Sequence, residues 1–227
     1  MAFAAGATRT MTFAAYRHPL TILVMVKEPV PGRVKTRLTP PLPREEAAQW
    51  AEACIRDTLQ ATRAAGLQRR VRTVVMLDGA PGPWLPPDIE VIAQAGEGLA
   101  RRLSHAFSCV DGPALVIGMD TPQITPDLLW PNYGQDGADG VMGPAVDGGF
   151  WALGMIEPDP TVFDSVPMSS DDTGAHQWAA LTRRCPGARL LPSLRDMDTI
   201  EDAHAIAQEH PELAIARAVH EYATLPR

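Results

Sequence analysis

Both lysines of the 227-residue chain, Lys27 and Lys35, lie in one short segment that also carries Arg33 and Arg37. In a chain that otherwise uses arginine, a lysine marks a position that needs a compact, flexible ammonium rather than a planar guanidinium. Four cations within eleven residues are well suited to bind phosphate oxygens through charge-assisted hydrogen bonds. The segment therefore predicts an anion-binding loop, with Lys35 as a candidate catalytic residue that neutralises phosphate charge.

The basic segment matches neither of the standard phosphate-binding motifs. Residues 32–36 lack the G-x-x-x-x-G-K spacing of a P-loop. Residues 96–98 begin like a dinucleotide-binding motif, but Arg101 stands where the third glycine should be. Without a backbone cradle, the basic side chains themselves have to hold the phosphates. A solvated basic loop without a ligand is the alternative.

Asp120 is the first acidic candidate, because it comes just after the apolar run Ala114–Gly118. A buried strand that ends there would deliver the carboxylate to the same sheet edge as the basic loop. Mg²⁺ is usually held by one or two carboxylates together with phosphate oxygens, so Asp120 is a candidate metal ligand. The alternative is a turn-initiating aspartate before Thr121 and Pro122.

Three further aspartates belong to segments that could reach the same edge. Asp147 precedes Gly148 and Gly149, whose freedom from a side chain lets backbone approach a ligand closely; ordinary turn chemistry is the alternative. Asp196 and Asp198 alternate along an extended segment, so one is expected to reach the metal while the other points away. We take Asp198 as the second metal ligand, with ordinary helix N-terminal acidity as the alternative.

The segment 169–174 carries the remaining candidates, Ser170 and Thr173. Its run of serine, aspartate and threonine is typical of a helix start. Both residues are assigned to a substrate-facing loop together with Asp147, Gly148 and Gly149.

Apolar runs rich in β-branched residues alternate with amphipathic helical patterns along the chain, which predicts a mostly parallel sheet covered by helices on both faces. In such sheets ligands bind at the carboxyl ends of the strands. The turn at 147–149 predicts an antiparallel strand pair, and Thr199 predicts a capping box. Strands are expected at 20–26, 71–77, 89–93, 114–118, 141–144, 150–155 and 189–191. Helices are expected at 44–65, closed by Gly66, and at 99–110, 125–130 and 173–184, with one or two terminal helices from 199 to about 224.

Composition limits the class of partner. A net charge of -7 and a pI near 5.3 argue against nucleic acid or an anionic membrane as the main partner, and no apolar run reaches the length of a membrane span. Three scattered cysteines fit a reducing cytoplasm better than a disulfide framework. Residues 1–18 are expected to form a disordered leader, and residues 19–227 a single domain.

Four ordered blocks of the chain resemble a largely uncharacterised bacterial family of GT-A-fold, nucleotide-diphospho-sugar transferase-like proteins, over about Leu20 to Gln208. Two of the blocks are also similar to 2-phospholactate guanylyltransferases. The blocks are Lys27-x-Pro-x-Pro-Gly-x-x-Lys35-Thr-Arg-Leu38, Gly118-Met-Asp120-Thr-Pro122, Gly143-Pro-Ala-x-Asp147-Gly-Gly-Phe-Trp151 and Asp196-Met-Asp198-Thr-x-Glu-Asp202.

The resemblance implies an α/β fold: a three-layer α/β/α, Rossmann-like GT-A sandwich whose mostly parallel sheet has an antiparallel addition. It implies that Asp120 is the DxD-like metal ligand. A further block of the family includes Gln94 and Arg102, and on that ground both are assigned to nucleotide phosphate binding. It also implies that the first loop meets the nucleotide phosphates. The residues of that loop assigned to phosphate binding are Lys27, Pro31, Gly32, Lys35 and Arg37.

The chain departs from the family pattern at Ala100, where glycine is frequent, and at 168–170, where many members carry Trp-Ser-Thr. Both positions fall in segments expected to face the substrate, so they bear on the acceptor more than on the fold.

Three functions follow as hypotheses. The first is a nucleotidyltransferase dependent on Mg²⁺ or Mn²⁺, which transfers a nucleoside monophosphate from a nucleoside triphosphate to a small phosphorylated acceptor and releases pyrophosphate. The second is a glycosyltransferase that uses a nucleotide-sugar donor and an acidic residue such as Asp147 as base. The third is a nucleotide-binding module of the same fold without catalytic turnover.

Overall fold

The computed structural model describes residues 19–68, 71–130 and 138–224. The predicted leader at 1–18 lies outside these residues. Among the described residues, no helix is long and apolar enough to cross a bilayer.

Seven strands form one sheet in the order β3-β2-β1-β4-β6-β5-β7, and only β6 runs antiparallel to its neighbours. The predicted mostly parallel sheet with an antiparallel addition is therefore confirmed. The strands are β1 Leu20–Lys27, β2 Val71–Asp78, β3 Glu90–Ala93, β4 Ala114–Gly118, β5 Gly140–Pro144, β6 Phe150–Met155 and β7 Arg189–Leu190. The helices are α1 Arg44–Gln68, α2 Gly98–Ser108, α3 Thr173–Arg184, α4 Ile200–Glu209 and α5 Ala214–Thr224, with short 3-10 turns at Thr36–Leu38 and Pro160–Phe163.

The helices form a layer on each face of the sheet. Helix α1 packs on one face through Ala51, Ile55 and Leu59, against alternate residues of β1. Helices α2 and α3 pack on the other face, where Phe107 and Leu181 belong to the same apolar cluster. Strand β1 is buried on both faces because it is central, which explains its uninterrupted apolar sequence. These contacts confirm the three-layer α/β/α architecture.

Helices α4 and α5 pack on the outer side of α1 and form a third apolar cluster with it, in which Trp50 contacts the ring of Tyr222 edge-on. Helix α4 begins at the predicted capping box: the Thr199 hydroxyl accepts a hydrogen bond from the Asp202 amide, and the Asp202 carboxylate accepts one from the Thr199 amide. These two hydrogen bonds fix the direction in which the chain leaves the segment 196–198.

One predicted helix end and one predicted helix are wrong. Gly66 does not close α1, which continues to Gln68. A glycine ends a helix when it adopts a positive φ, and Gly66 is not among the glycines that do so. The expected helix at 125–130 is a series of turns. The amide of Leu129 reaches back to Thr125, but that of Trp130 bonds to Asp127 only three residues away, so regular helical bonding does not propagate.

The topology brings several loops to one edge of the sheet. Strands β1, β2 and β4 are parallel and end at this edge, and the turn between β5 and β6 lies there because β6 runs antiparallel to β4. The segment leading into α4 joins them, since the amide of Met197 donates a hydrogen bond to the Asp120 carbonyl.

Candidate functional site

A cleft of about 720 Å³ opens at the sheet edge where β1 and β4 end. It is lined by most of the side chains that the sequence predicted as functional. Pro31, Gly32 and Gly148 are the predicted residues that do not line it. The predicted residues that do are Lys27, Lys35, Arg37, Gln94, Arg102, Asp120, Asp147, Gly149, Ser170, Thr173 and Asp198.

The loop after β1 is anchored in the core on both sides of Lys35. Val34 and Leu38 are buried, and a 3-10 turn begins directly after Lys35. Lys35 itself has φ 47° and ψ 39°, a left-handed conformation that residues other than glycine seldom adopt. Strained backbone of this kind tends to persist where surrounding structure holds it for a function.

The side chain of Lys35 is buried, although the residue lies in a loop. Its side chain is only 6% exposed, and its ammonium lies 2.7 Å from Asp120 Oδ1 and 2.9 Å from Asp198 Oδ1. Burial by itself would lower the pKa of Lys35, but the charges of Asp120 and Asp198 raise it above the ordinary value. The side chain is therefore a charged ammonium held between two carboxylates.

The two carboxylates are fixed from several directions. Arg37 contacts the second oxygen of Asp198 at 3.1 Å, and the backbone bond from Met197 to Asp120 ties the two acidic segments together. Asp120 Oδ1 is buried and has no hydrogen-bond partner among the described residues, so its close contact with Lys35 is an ion pair. The result is a compact group of two acids and two bases at the centre of the cleft.

Asp196 also lines the cleft, so the expectation that it would point away when Asp198 faces the site is wrong. Its carboxylate accepts a 2.7 Å hydrogen bond from the Thr121 hydroxyl. Burial raises the pKa of Asp196 to about 7; the Thr121 hydrogen bond opposes this rise, whereas the charges of Asp120 and Asp147 add to it. The alternating-residue argument failed because this segment is irregular and not a strand, so its side chains need not alternate.

Two cations in the cleft, Lys27 and Arg33, have no carboxylate partner among the residues that the model describes. Arg33 was part of the basic segment but was not singled out as a site residue. By contrast, Arg102 contacts Asp78 at 2.7 Å. Lys27 and Arg33 are therefore the cations that can bind a ligand without first breaking an ion pair.

Gln94 and Arg102 form one wall of the cleft. The Gln94 amide donates to the carbonyls of Val26 at 3.0 Å and Met76 at 2.7 Å, which joins the ends of β1 and β2. Its oxygen lies 3.4 Å from a guanidinium nitrogen of Arg102. In this structure the hydrogen bonds of Gln94 and Arg102 hold the wall together. The assignment of these two residues to phosphate binding stays a prediction.

The Asp147 turn forms the opposite wall and packs against the start of α3. Asp147 accepts a 2.8 Å hydrogen bond from the Gly149 amide, and the Gly174 amide donates to the Gly148 carbonyl at 2.8 Å. Gly148 has φ 90°, and a Cβ placed there would lie 2.0 Å from the carbonyl oxygen of Asp171. Gly148 thus supports the site without lining it.

In the same wall, the hydroxyl of Thr173 holds together the segment that leads into α3. Its hydroxyl donates to the Pro167 carbonyl at 2.8 Å and accepts from the Ser170 amide at 3.1 Å. The Ser170 hydroxyl donates to the carboxylate of Asp172. A substrate role for Ser170 or Thr173 stays a prediction, and it would require these internal hydrogen bonds to be exchanged.

Charge is segregated across the cleft. The basic lining residues lie at the end of β1, on the loop after it or on α2, whereas the acidic ones lie on the side of β4, β5 and β6. The two sets meet at the group formed by Lys35, Asp120 and Asp198. The basic residues are Lys27, Arg33, Lys35, Arg37 and Arg102; the acidic residues are Asp120, Asp147, Asp171, Asp196 and Asp198.

The carboxylate oxygens at the point where the basic and acidic residues meet suit a hard divalent cation. Asp120 and Asp198 supply carboxylate oxygens, and Mg²⁺ needs only one or two of these when phosphates complete its coordination. Among the described residues, no group of three or more His, Cys, Asp or Glu side chains is arranged to hold a metal by itself. A metal held by Asp120 and Asp198 would complete its coordination with water or with oxygens of a bound substrate.

Solved structures with the same fold support the architecture. A proposed nucleotide-diphospho-sugar transferase from Desulfovibrio desulfuricans G20 has a TM-score of 0.76 and 24% identity, covering 90% of this chain and 95% of its own. Rv0371C of Mycobacterium tuberculosis H37Rv, solved with manganese, has a TM-score of 0.50 and 22% identity, covering 83% and 97%. Glucosyl-3-phosphoglycerate synthase of M. tuberculosis, solved with Mn²⁺, UDP and glucosyl-3-phosphoglycerate, has a TM-score of 0.51 and 9% identity, covering 79% and 71%. At these identities the likeness confirms the predicted GT-A-like fold alone.

At the level of sequence, no curated protein matches the chain. A family model described as "Uncharacterized protein conserved in bacteria (DUF2064)" matches residues 54–170, slightly more than half of the chain. The matched stretch includes Asp120 and Asp147 but ends before Asp198.

Proposed function

We propose that this chain, which belongs to the bacterial family DUF2064, is a transferase that binds a nucleotide through its phosphates. The observation that carries the proposal is that two cations, Lys27 and Arg33, have no carboxylate partner within the described part of the chain and lie in the same cleft as the carboxylate pair Asp120 and Asp198. Cations next to carboxylates at the carboxyl edge of a sheet suit a phosphate–metal complex. Mg²⁺ or Mn²⁺ held by Asp120 and Asp198 would supply the charge that stabilises a leaving phosphate group.

Nucleotidyl transfer is the first candidate reaction. An ionised phosphate oxygen of the acceptor attacks the α-phosphorus of a nucleoside triphosphate, the bond from the α-phosphorus to its bridging oxygen breaks, and pyrophosphate leaves. The nucleophile is already deprotonated, so no general base is needed. Lys27, Arg33 and Arg37 neutralise the triphosphate and stabilise the charge that develops on pyrophosphate.

Glycosyl transfer from a nucleotide-sugar is the second candidate, and the acidic half of the cleft favours it. Asp147 and Asp171 are exposed there, and among the residues that the structure describes that half has no cation to receive a phosphorylated acceptor. A carboxylate can take the proton of an acceptor hydroxyl as the oxygen attacks the sugar carbon and the nucleoside diphosphate leaves. A neutral, hydroxyl-bearing acceptor suits this electrostatic environment better than an anion.

A thermal-shift panel tests nucleotide binding. The protein is heated with each nucleoside triphosphate, and with UDP- and GDP-sugars, with and without Mg²⁺ or Mn²⁺. A ligand at a hundred times its dissociation constant adds about 2.7 kcal/mol of stability, which is roughly 5–10 °C for a chain of this size. The variant Lys27→Gln should show a smaller shift, because Lys27 is exposed and its ammonium has no carboxylate partner in the described ranges. No shift with any nucleotide would contradict the proposal.

Product analysis separates the two reactions. Pyrophosphate released from a triphosphate in the presence of phospho-acids indicates nucleotidyl transfer, whereas nucleoside diphosphate released from a nucleotide-sugar indicates glycosyl transfer. Tight binding without either product indicates a nucleotide-binding module that does not turn over.

A further inference from the structure

Lys35 occupies the place between the two proposed metal ligands. Its ammonium bridges Asp120 Oδ1 at 2.7 Å and Asp198 Oδ1 at 2.9 Å, and the side chain is almost fully buried. The loop that carries it is anchored by Val34 and Leu38, so this position is set by packing.

A divalent cation and this ammonium compete for the same pair of oxygens. Mg²⁺ binds oxygen at about 2.0–2.1 Å, so a metal bound to both Oδ1 atoms would lie close to the Lys35 nitrogen, and the two positive charges would repel each other. Together with Arg37, Lys35 already neutralises the two aspartates without a metal. Joint binding of a metal by Asp120 and Asp198 is therefore unfavourable while Lys35 stays where it is.

Lys35 also cannot leave without a new partner. An ammonium that is buried without a counter-charge is costly, so the side chain leaves the two aspartates only when another anion accepts it. The phosphates of a bound nucleotide are such an anion, and they are expected beside Lys27 and Arg33 in the same cleft.

We propose that the Lys35 ammonium is a resident cation that competes with the divalent metal for Asp120 and Asp198. Nucleotide phosphates draw it away, so metal and nucleotide bind cooperatively. The inference rests on the proposed phosphate-binding function and adds to it that Lys35 leaves the two aspartates when the nucleotide binds. By thermodynamic linkage, the nucleotide strengthens metal binding by the same factor as the metal strengthens nucleotide binding.

The first test measures Mn²⁺ alone, through the electron paramagnetic resonance signal of the free ion, for wild type, Lys35→Met and Arg183→Gln. Removal of the competing charge is expected to tighten Mn²⁺ binding by about tenfold or more in Lys35→Met. Arg183→Gln, which removes a positive charge at an exposed position of α3 outside the cleft, is expected to bind like wild type. A Lys35→Met protein with a native circular dichroism spectrum and no tighter Mn²⁺ binding would overturn the inference.

The second test needs no folded variant of Lys35, because the chain has only two lysines. Wild type labelled with ¹³Cε,¹⁵Nζ-lysine gives two side-chain signals, which Lys27→Met assigns. Mg²⁺ alone is expected to leave the Lys35 signal in place, whereas Mg²⁺ with inorganic pyrophosphate should move it. A Lys35 signal that moves with Mg²⁺ alone counts against the inference.

The remaining outcomes distinguish the inference from the proposed function. If pyrophosphate moves Lys27 but not Lys35, the phosphate site stands and the inference is wrong. If neither signal moves, both the phosphate-binding function and the inference fail.

Discussion

The ammonium of Lys35 lies 2.7 Å from Asp120 Oδ1, although the two residues are far apart in the chain and come from loops after different strands. Strands β1 and β4 are adjacent and parallel, so both loops leave the sheet at the same edge. The ion pair therefore joins the predicted phosphate-binding residue to the predicted metal ligand.

Replacement of Lys35 by alanine should destabilise the protein. The change leaves Asp120 and Asp198 facing each other without the bridging charge, and because these carboxylates remain 38% and 32% exposed, we expect a loss of about 1–2 kcal/mol. Urea denaturation measures the loss. Lys27→Ala is the matched control and should stay within about 0.5 kcal/mol of wild type. Equal effects of the two changes would show that the ion pair does not contribute to stability.

Replacement of Lys27 or Arg33 by glutamine should weaken phosphate binding without loss of stability. Each residue is a cleft cation without a carboxylate partner among the described residues, and a charge-assisted hydrogen bond at an exposed position is worth about 1–2 kcal/mol, or roughly 5- to 30-fold in affinity. Isothermal titration calorimetry with the nucleotide found in the thermal-shift panel gives the affinities. Arg183→Gln, at an exposed position of α3 outside the cleft, should change nothing.

Replacement of Asp120 by asparagine should make nucleotide binding insensitive to the divalent cation. Asparagine keeps the shape of the side chain but removes the charge that would attract the metal. The dissociation constant of the nucleotide is compared with and without Mg²⁺ for wild type and the variant. A variant that retains the wild-type response to Mg²⁺ would show that Asp120 is not a metal ligand.

Replacement of Gly148 by alanine should destabilise the wall that presents Asp147. A Cβ there would lie 2.0 Å from the Asp171 carbonyl oxygen, and the positive φ adds backbone strain. We expect a loss of about 3 kcal/mol or more in the free energy of unfolding. Gly98→Ala is the control, because Gly98 also has a positive φ but a Cβ there meets nothing within 4 Å. A loss in Gly148→Ala no larger than in Gly98→Ala would contradict the clash.

Asp57 offers a prediction about pH. Its buried carboxylate on α1 accepts hydrogen bonds from the Ala214 and Ile215 amides at the start of α5. Burial raises its pKa, although these hydrogen bonds lower it. The folded state therefore binds the proton more readily than the unfolded chain, and this group favours folding more as the pH falls toward about 4.

Asp57→Asn removes this titration. Wild type should therefore gain stability relative to Asp57→Asn as the pH is lowered from 7, measured by urea denaturation at each pH. A difference in stability that stays constant with pH, or that shrinks as the pH falls, would contradict the raised pKa.

The successes and failures of sequence interpretation have separate physical causes. The strands were predictable because a central parallel strand such as β1 is buried on both faces and must be apolar throughout. The failure at Gly66 arose because a glycine permits a helix end without requiring one. The failure at Asp196 arose because side-chain alternation holds only in regular strands, and the segment before α4 is held by isolated hydrogen bonds to the loop after β4.

The sequence by itself determined the fold class and most of the charged residues that line the cleft, since periodicity, turn residues and residue type are local properties that can be read along the chain. Only the tertiary structure decided which charges are free. Lys27 and Lys35 look equivalent in the sequence. In the part of the chain that the structure describes, Lys27 is exposed and has no carboxylate partner, while Lys35 is buried between two aspartates. Burial and ion pairing depend on which distant segments the sheet order brings together, and no local pattern encodes that distance.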